Sequence, residues 1–240
     1  MAHTRTSSKT RLDERRSAPA SEAVEDYAKA IYALERHGPG AITTSALADR
    51  LEVAPSSVTA MLKRLDELGL VRYEPYHGAT LTPTGQRVAL EVIRHHRLIE
   101  AFLADALEMP WDRVHDEAEI LEHYISEDLE RRISEKLGNP ALDPHGDPIP
   151  TPELDLADDR TTTLDGLEVG QAAVFARVSD SDPAMLRYLA GRGIRPGARL
   201  RVVGAQPFGG PVFVEVAGRE HALGGELAEK MRVETRDSRA

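Results

Sequence analysis

From Val24 onward the chain places apolar side chains three and four residues apart: Val24, Tyr27, Ala28, Ile31, Tyr32 and Leu34. That spacing is one face of an α-helix, and Ser21 followed by Glu22, Glu25 and Asp26 offers an N-cap with acids in the first turn. The pattern predicts a helix over 21–36, stopped by Gly38-Pro39-Gly40. A short helix follows, from Thr44 or Ser45 to Leu51. After a turn at Glu52–Pro55, a second carries Val58, Met61, Leu62, Leu65 and Leu68 inward until Gly69. Two short helices joined this tightly make a helix-turn-helix. The period then changes. LVRYEPYHGATLTPTGQRV alternates apolar and polar residues around His77-Gly78, which predicts a two-stranded hairpin, the wing of a winged helix.

Helical spacing returns from about Thr84 through His96, Phe102 and Leu107, breaks at Met109-Pro110-Trp111, and resumes from Asp112 to Leu137 with a restart at Ser126. Gly138-Asn139-Pro140 ends it, and DPHGDPIPTPELDLADDR reads as a Pro- and Asp-rich linker. Beyond Thr163, GQAAVFARV, RLRVVGAQ and PVFVEVAG are short Val-rich runs between Gly/Pro turns, the pattern of a small β-barrel, with a short helix at PAMLRYLAGRG. The expected fold is mainly α with a small β domain. It comprises an arm (1–20), a winged helix-turn-helix (21–86), a helical domain (87–140), a linker (141–164) and the barrel (165–236).

Cysteine is absent, so disulfides and thiolate ligands are excluded and any metal site must use His, Asp and Glu. No apolar run is long enough for a membrane span, and the N-terminal MAHTRTSSKTRLDERR lacks the apolar centre of a secretory signal, so a cytoplasmic protein without membrane contact is expected. The formal charge of −10 opposes nucleic-acid binding unless the acids lie away from the DNA or are neutralised by cations. Arg5, Lys9, Arg11, Arg15 and Arg16 give the N-terminus the look of a flexible basic arm.

On the second helix of the pair, Ser56, Ser57, Thr59, Ala60, Lys63 and Arg64 lie opposite the apolar stripe, where a recognition helix meets the major groove. Lys63 and Arg64 suit phosphates, and Tyr76 and His77 put the wing tip near the DNA backbone or minor groove. Without Arg, Asn or Gln in the first turn, sequence choice is expected to rest partly on methyl contacts and DNA shape. Further on, His96 and Glu100 are spaced i,i+4, while Glu119, Glu122 and His123 fall on one face with His115 a turn earlier. A solvated, salt-bridged surface explains any one of these pairs. Two in consecutive helices behind a winged helix point instead to a metal held in a helical core.

These segments, with KRLDELGLV, HHRLIEAFL, VHDEAEILEH, DPHGDPIP and SDSDPAMLRYL, make the chain resemble the DtxR/MntR family of metal-dependent repressors from about Ser21 to the C-terminus. The resemblance implies a homodimer on a palindromic double-stranded DNA operator and an SH3-like C-terminal domain. It also implies two metal sites: a primary one at Asp26, Glu119, Glu122 and His123, and an ancillary one at His96, Glu100 and His115 with Asp182 from the C-terminal domain. Ser181-Asp182 before Pro183 is equally placed to cap the short helix, and both roles can hold. A further C-terminal ligand of the iron-sensing members falls on Met185. Those members carry Met and Cys where this chain has Asp26 and Glu119. An oxygen-and-imidazole shell likewise suits Mn²⁺ over softer ions, with Fe²⁺ as the alternative and Co²⁺ or Zn²⁺ able to substitute in vitro. Lys29 stands where short manganese sensors have an acid, which disfavours their two-metal cluster.

The expected function is therefore a Mn²⁺-activated repressor of metal-homeostasis genes. The rivals are an Fe²⁺-dependent repressor of the same family, a metal-dependent hydrolase, and a winged-helix sensor of an organic ligand. For a hydrolase the sequence offers no HExxH helix, no phosphate-cradling Gly loop and no Ser nucleophile elbow. An aromatic content of 5% gives an organic-ligand pocket little lining.

Overall fold

The computed structural model describes residues 21–235 except His37 and Pro39, so the basic arm expected over 1–20 lies outside the described residues. Two compact units divide the chain at residues 89 and 90.

In the first unit, α1 (Glu22–Glu35), α2 (Thr44–Leu51) and α3 (Pro55–Glu67) pack Val24, Ile31, Leu47, Val58, Leu62 and Leu65 into one core. Thr43 caps α2 by accepting from Ala46 N at 3.1 Å. Glu52 turns the chain in the left-handed region (φ 53°), and Val53 N closes on Ala48 O at 3.1 Å. Pro55, expected to end the turn, opens α3 instead, where a residue without an N–H removes no helical bond. Leu68, expected inside, is 54% exposed because it caps α3 one residue past its last regular turn. The wing is β1 (Val71–Glu74) antiparallel to β2 (Gly78–Leu81), and Ile42 bridges to Ala79 as a third rung. Gly78 is required: its φ is +105° and a Cβ would lie 2.7 Å from Ile42 O.

The helix α4 (Pro83–Ala106) runs on into the second unit, followed by α5 (Val114–Leu121) and α6 (Glu127–Lys136). Ser126 caps α6, accepting from Leu129 N at 3.3 Å, so the expected restart is where the chain makes it. Beyond lie β3 (Thr162–Thr163), β4 (Ala172–Val178), α7 (Pro183–Ala190), β5 (Arg199–Ala205), β6 (Val212–Val216), β7 (Arg219–Leu223), α8 (Gly225–Lys230) and β8 (Met231–Thr235). The strands form one antiparallel sheet in the order β3-β8-β4-β5-β6-β7, curved by bulges after Phe175 and Val202. The expected barrel is not closed. Its end strands are β3, only two residues long, and β7, which pairs with β6 alone, so the sheet wraps its core without joining edge to edge.

The segment read as a linker is partly a built loop. Asp143 Oδ1 accepts from His145 N at 2.8 Å and Asp147 N at 2.9 Å, and Leu142 bridges to Pro148. Val178 N donates to His145 O at 3.1 Å, stitching the loop to β4. Among the described residues, no helix is long and apolar enough to cross a membrane.

Candidate metal centre

Four segments of the second unit meet around Glu100, which lies fully buried on α4. One turn earlier on the same face stands His96, whose Nε2 lies 3.1 Å from Glu100 Oε1. From α5, His115 Nδ1 approaches Glu100 Oε1 at 3.5 Å and His96 Nε2 at 3.2 Å. Asp180, just past β4, reaches His115 Nδ1 at 3.1 Å and His96 Nε2 at 4.0 Å. Donor atoms of His96, Glu100, His115 and Asp180 all lie within 4.8 Å of one another. Behind Glu100 the loop supplies Asp143 and His145, with His145 Nδ1 3.5 Å from Glu100 Oε2.

Hydrogen-bond geometry is poor in this packing. Both oxygens of Glu100 and Nδ1 of His145 are buried without a well-aligned hydrogen bond, although His96, His115 and His145 nitrogens stand 3.1–3.5 Å from Glu100, at ion-pair distance. Such groups are rare, because a buried polar group left without a hydrogen bond costs about 1–3 kcal/mol. Metal–ligand bonds of roughly 2.0–2.2 Å place neighbouring donors about 3 Å apart, the spacing seen here. The donor set of carboxylate oxygen and imidazole nitrogen fits a divalent first-row cation of harder character.

A second group adjoins the first through His96. While its Nε2 faces Glu100, its Nδ1 lies 2.5 Å from Glu122 Oε2 and 3.5 Å from Glu119 Oε1. His123 Nε2 stands 3.6 Å from Glu122 Oε1. Glu119 lies on α5, Glu122 is its C-cap, and His123 falls in the turn beyond the helix, which ends earlier than the sequence spacing assumed. Asp26 is half-buried on α1, in the first unit.

Charge balance governs the protonation of these groups. Burial pushes the Glu100 carboxyl up, but His115, His145 and His96 outweigh it and hold it well below its ordinary value. Asp180 and Glu100 raise His115 to about 10. Burial lowers His145, yet Glu100 and Asp143 bring it to about 9. Asp143 is raised to about 8 by burial and by the charges of Glu100 and Asp147.

Of the two roles the sequence left open for Asp182, the structure shows the cap and not the ligand. Asp182 caps α7, accepting from Ala184 N at 2.9 Å and Met185 N at 3.2 Å, and the carboxylate that joins the cluster is Asp180. Sequence reasoning also missed Asp143 and His145. Their signal was DPHGDPIP, an Asp and a His two residues apart beside a Gly, hidden by the proline content that made it read as a linker.

On α3, Ser56, Ser57, Ala60, Lys63 and Arg64 are exposed while Thr59 is half-buried, its hydroxyl donating to Pro55 O at 3.0 Å. Tyr76, fully exposed at φ 69°, and His77 form the wing tip.

Three family profiles match the chain in order. They are the iron-dependent repressor N-terminal DNA-binding domain over residues 20–79, the iron-dependent repressor metal-binding and dimerisation domain over 82–151, and the FeoA domain over 162–235. The iron-dependent repressor IdeR of Mycobacterium leprae is 32% identical over 89% of this chain and 97% of its own length. The chain belongs to the DtxR/MntR family. It is a metal-dependent transcriptional repressor, related to DNA-binding regulators rather than enzymes, and the family's members bind DNA and dimerise. A solved manganese-dependent transcriptional repressor in complex with manganese superimposes with a TM-score of 0.83 at 39% identity, covering 89% of this repressor and all of that chain. The manganese regulator SloR gives 0.71 at 32% identity, covering 89% and 98%.

Proposed function

We propose that this repressor responds to Mn²⁺ and binds a palindromic operator as a homodimer, in the cytoplasm, to control metal-homeostasis genes. The observation that carries the metal is the donor set: carboxylates and imidazoles, with no sulfur, around buried Glu100. A solved manganese-dependent relative of similar fold supports it. The Fe²⁺ alternative rests on IdeR, named an iron-dependent repressor.

In this reading Asp26, Glu119, Glu122 and His123 hold the primary ion. His96, Glu100, His115 and Asp180 hold the ancillary one, with Asp143 and His145 behind Glu100. A bound cation supplies positive charge to carboxylates that otherwise repel one another. With the ion bound, the two recognition helices of the dimer are held at one separation. Half-sites about one helical turn apart are met only at that separation. Ser56, Ser57, Thr59 and Ala60 read base edges, while Lys63, Arg64, Tyr76 and His77 take the backbone. Apolar side chains suited to the dimer contact stand on α5 and in the turn after it, where Ile120 and Tyr124 are 63% and 70% exposed.

Binding to DNA from the repressor's own promoter region, measured with Mn²⁺ and then with chelator, tests the proposal. Mn²⁺-dependent binding by the wild type, lost in Glu122→Ala and His123→Ala variants that remain folded dimers, is the expected result. Binding indifferent to chelator, or wild-type binding by both variants, would refute it.

A further inference from the structure

The metal centre and the C-terminal sheet share one residue that neither the donor set nor the DNA-reading surface uses. Trp111 lies in the turn between α4 and α5, yet its side chain is 2% exposed and packs in the sheet's core with Leu164, Phe175, Leu186 and Val233. Of the described members of that core, Trp111 alone precedes Leu164 in the chain. Two side chains from the sheet region hold this turn. The Arg195 guanidinium sits 4.7 Å from the Trp111 ring centroid, and Arg187 Nη1 donates to Asp112 Oδ2 at 3.2 Å.

From the other direction, Trp111 grips His145. Its carbonyl oxygen accepts from His145 Nε2 at 2.7 Å, and the two rings stack with centroids 5.8 Å apart and planes at 20°. A carbonyl can only accept, so Nε2 carries a hydrogen and Nδ1 is the atom left for a cation, 3.5 Å from Glu100 Oε2. Trp111 thus fixes both the tautomer and the plane of His145 while its indole is embedded in the sheet.

We infer that Trp111 is a positioning residue that couples metal occupancy at Glu100 and His145 to the docking of the C-terminal sheet on the helices. Resting on the metal-centre reading above, the inference adds a mechanical consequence: the sheet opens less often when metal is bound, and the indole ring transmits that effect. Trp111→Phe keeps an aromatic ring against His145. Trp111→Leu keeps an apolar side chain in the core and removes the ring.

Hydrogen exchange of the amides in residues 164–235, with and without Mn²⁺, reads the coupling, and calorimetry on the same proteins reads metal binding. With Mn²⁺ at ten times its dissociation constant, exchange through sheet opening should slow about tenfold in the wild type and in Trp111→Phe. In Trp111→Leu it should slow less than about twofold at matched saturation. Equal protection in all three proteins would overturn the role of the ring, as would metal binding without protection in the wild type. Should Trp111→Leu fail to fold, the wild type decides through its only tryptophan. Saturation with diamagnetic Zn²⁺ should change its emission, and the change should vanish in His145→Ala; emission unmoved by bound Zn²⁺ would overturn the coupling. Failure of the wild type to bind any metal in the calorimeter would refute the metal-centre reading itself.

Discussion

Glu100 stays ionised in a fully buried position because His115, His145 and His96 surround it; Asp180 and then Glu100 raise His115 to about 10, and Glu100 with Asp143 brings His145 to about 9 against its burial. A cation entering this cluster must displace their protons. Apparent Mn²⁺ affinity should therefore climb from pH 6.5 toward 9, with proton release measurable by calorimetry in two buffers of different ionisation enthalpy. Metal-free stability should move the other way. Raised imidazoles stabilise the fold below the unfolded value of 6.5 and lose that contribution as pH climbs through 9 and 10. Depressed Glu100 contributes above 4.5 and loses its contribution as pH falls through its folded value. With chelator present, the melting temperature should peak between about 4.5 and 6.5; a rise from pH 7 to 9 would contradict these assignments. Residue by residue, helical periodicity exposed the pairing of His96 with Glu100 on α4, while Glu122 and His123 come near Glu119 although α5 ends at Leu121. Asp180 was not legible, because Asp180 and Asp182 differ by two positions after a strand and no periodicity tells the cap from the ligand.

Helices with clear apolar faces were readable nearly to their ends, since α1, α2 and α6 carry cap residues where the chain turns. Strands were less so. β4, β5 and β6 are Val-rich because the core takes alternate residues, whereas edge strand β7 (REHAL) is mostly exposed and two-residue β3 leaves no pattern. The Asp143–Pro148 loop escaped because its order comes from tertiary contact. Gly146 shows this most directly: its φ is +90°, and a Cβ would fall 1.9 Å from Ala176 O at the β4 bulge. Gly146→Ala must push the loop off β4, at a cost of about 1–3 kcal/mol. In a metal titration by calorimetry, this variant should lose the ion held beside Glu100 and His145 and keep the one held by Glu122 and His123. Unaltered stoichiometry would mean that the loop does not position the ancillary ligands.

For the whole molecule, a net charge of −10 and a DNA-binding role are compatible because most of the acids fall in the second unit, while Lys63 and Arg64 stand exposed on α3 of the first. Winged helix, helical centre and C-terminal sheet follow one another in the order the sequence implied, and the family profiles match in that order. The pattern of side chains could not show whether the sheet closes, since closure depends on strand pairing at its edges. Metal activation requires that metal and DNA favour the same arrangement of the protein, so their effects on each other's affinity are equal. The decisive measurement is Mn²⁺ affinity by calorimetry with and without operator DNA, set beside DNA affinity with and without Mn²⁺. Both ratios should agree and exceed about tenfold, within the usual range of coupling between sites; a Mn²⁺ affinity unchanged by DNA would contradict metal-activated repression.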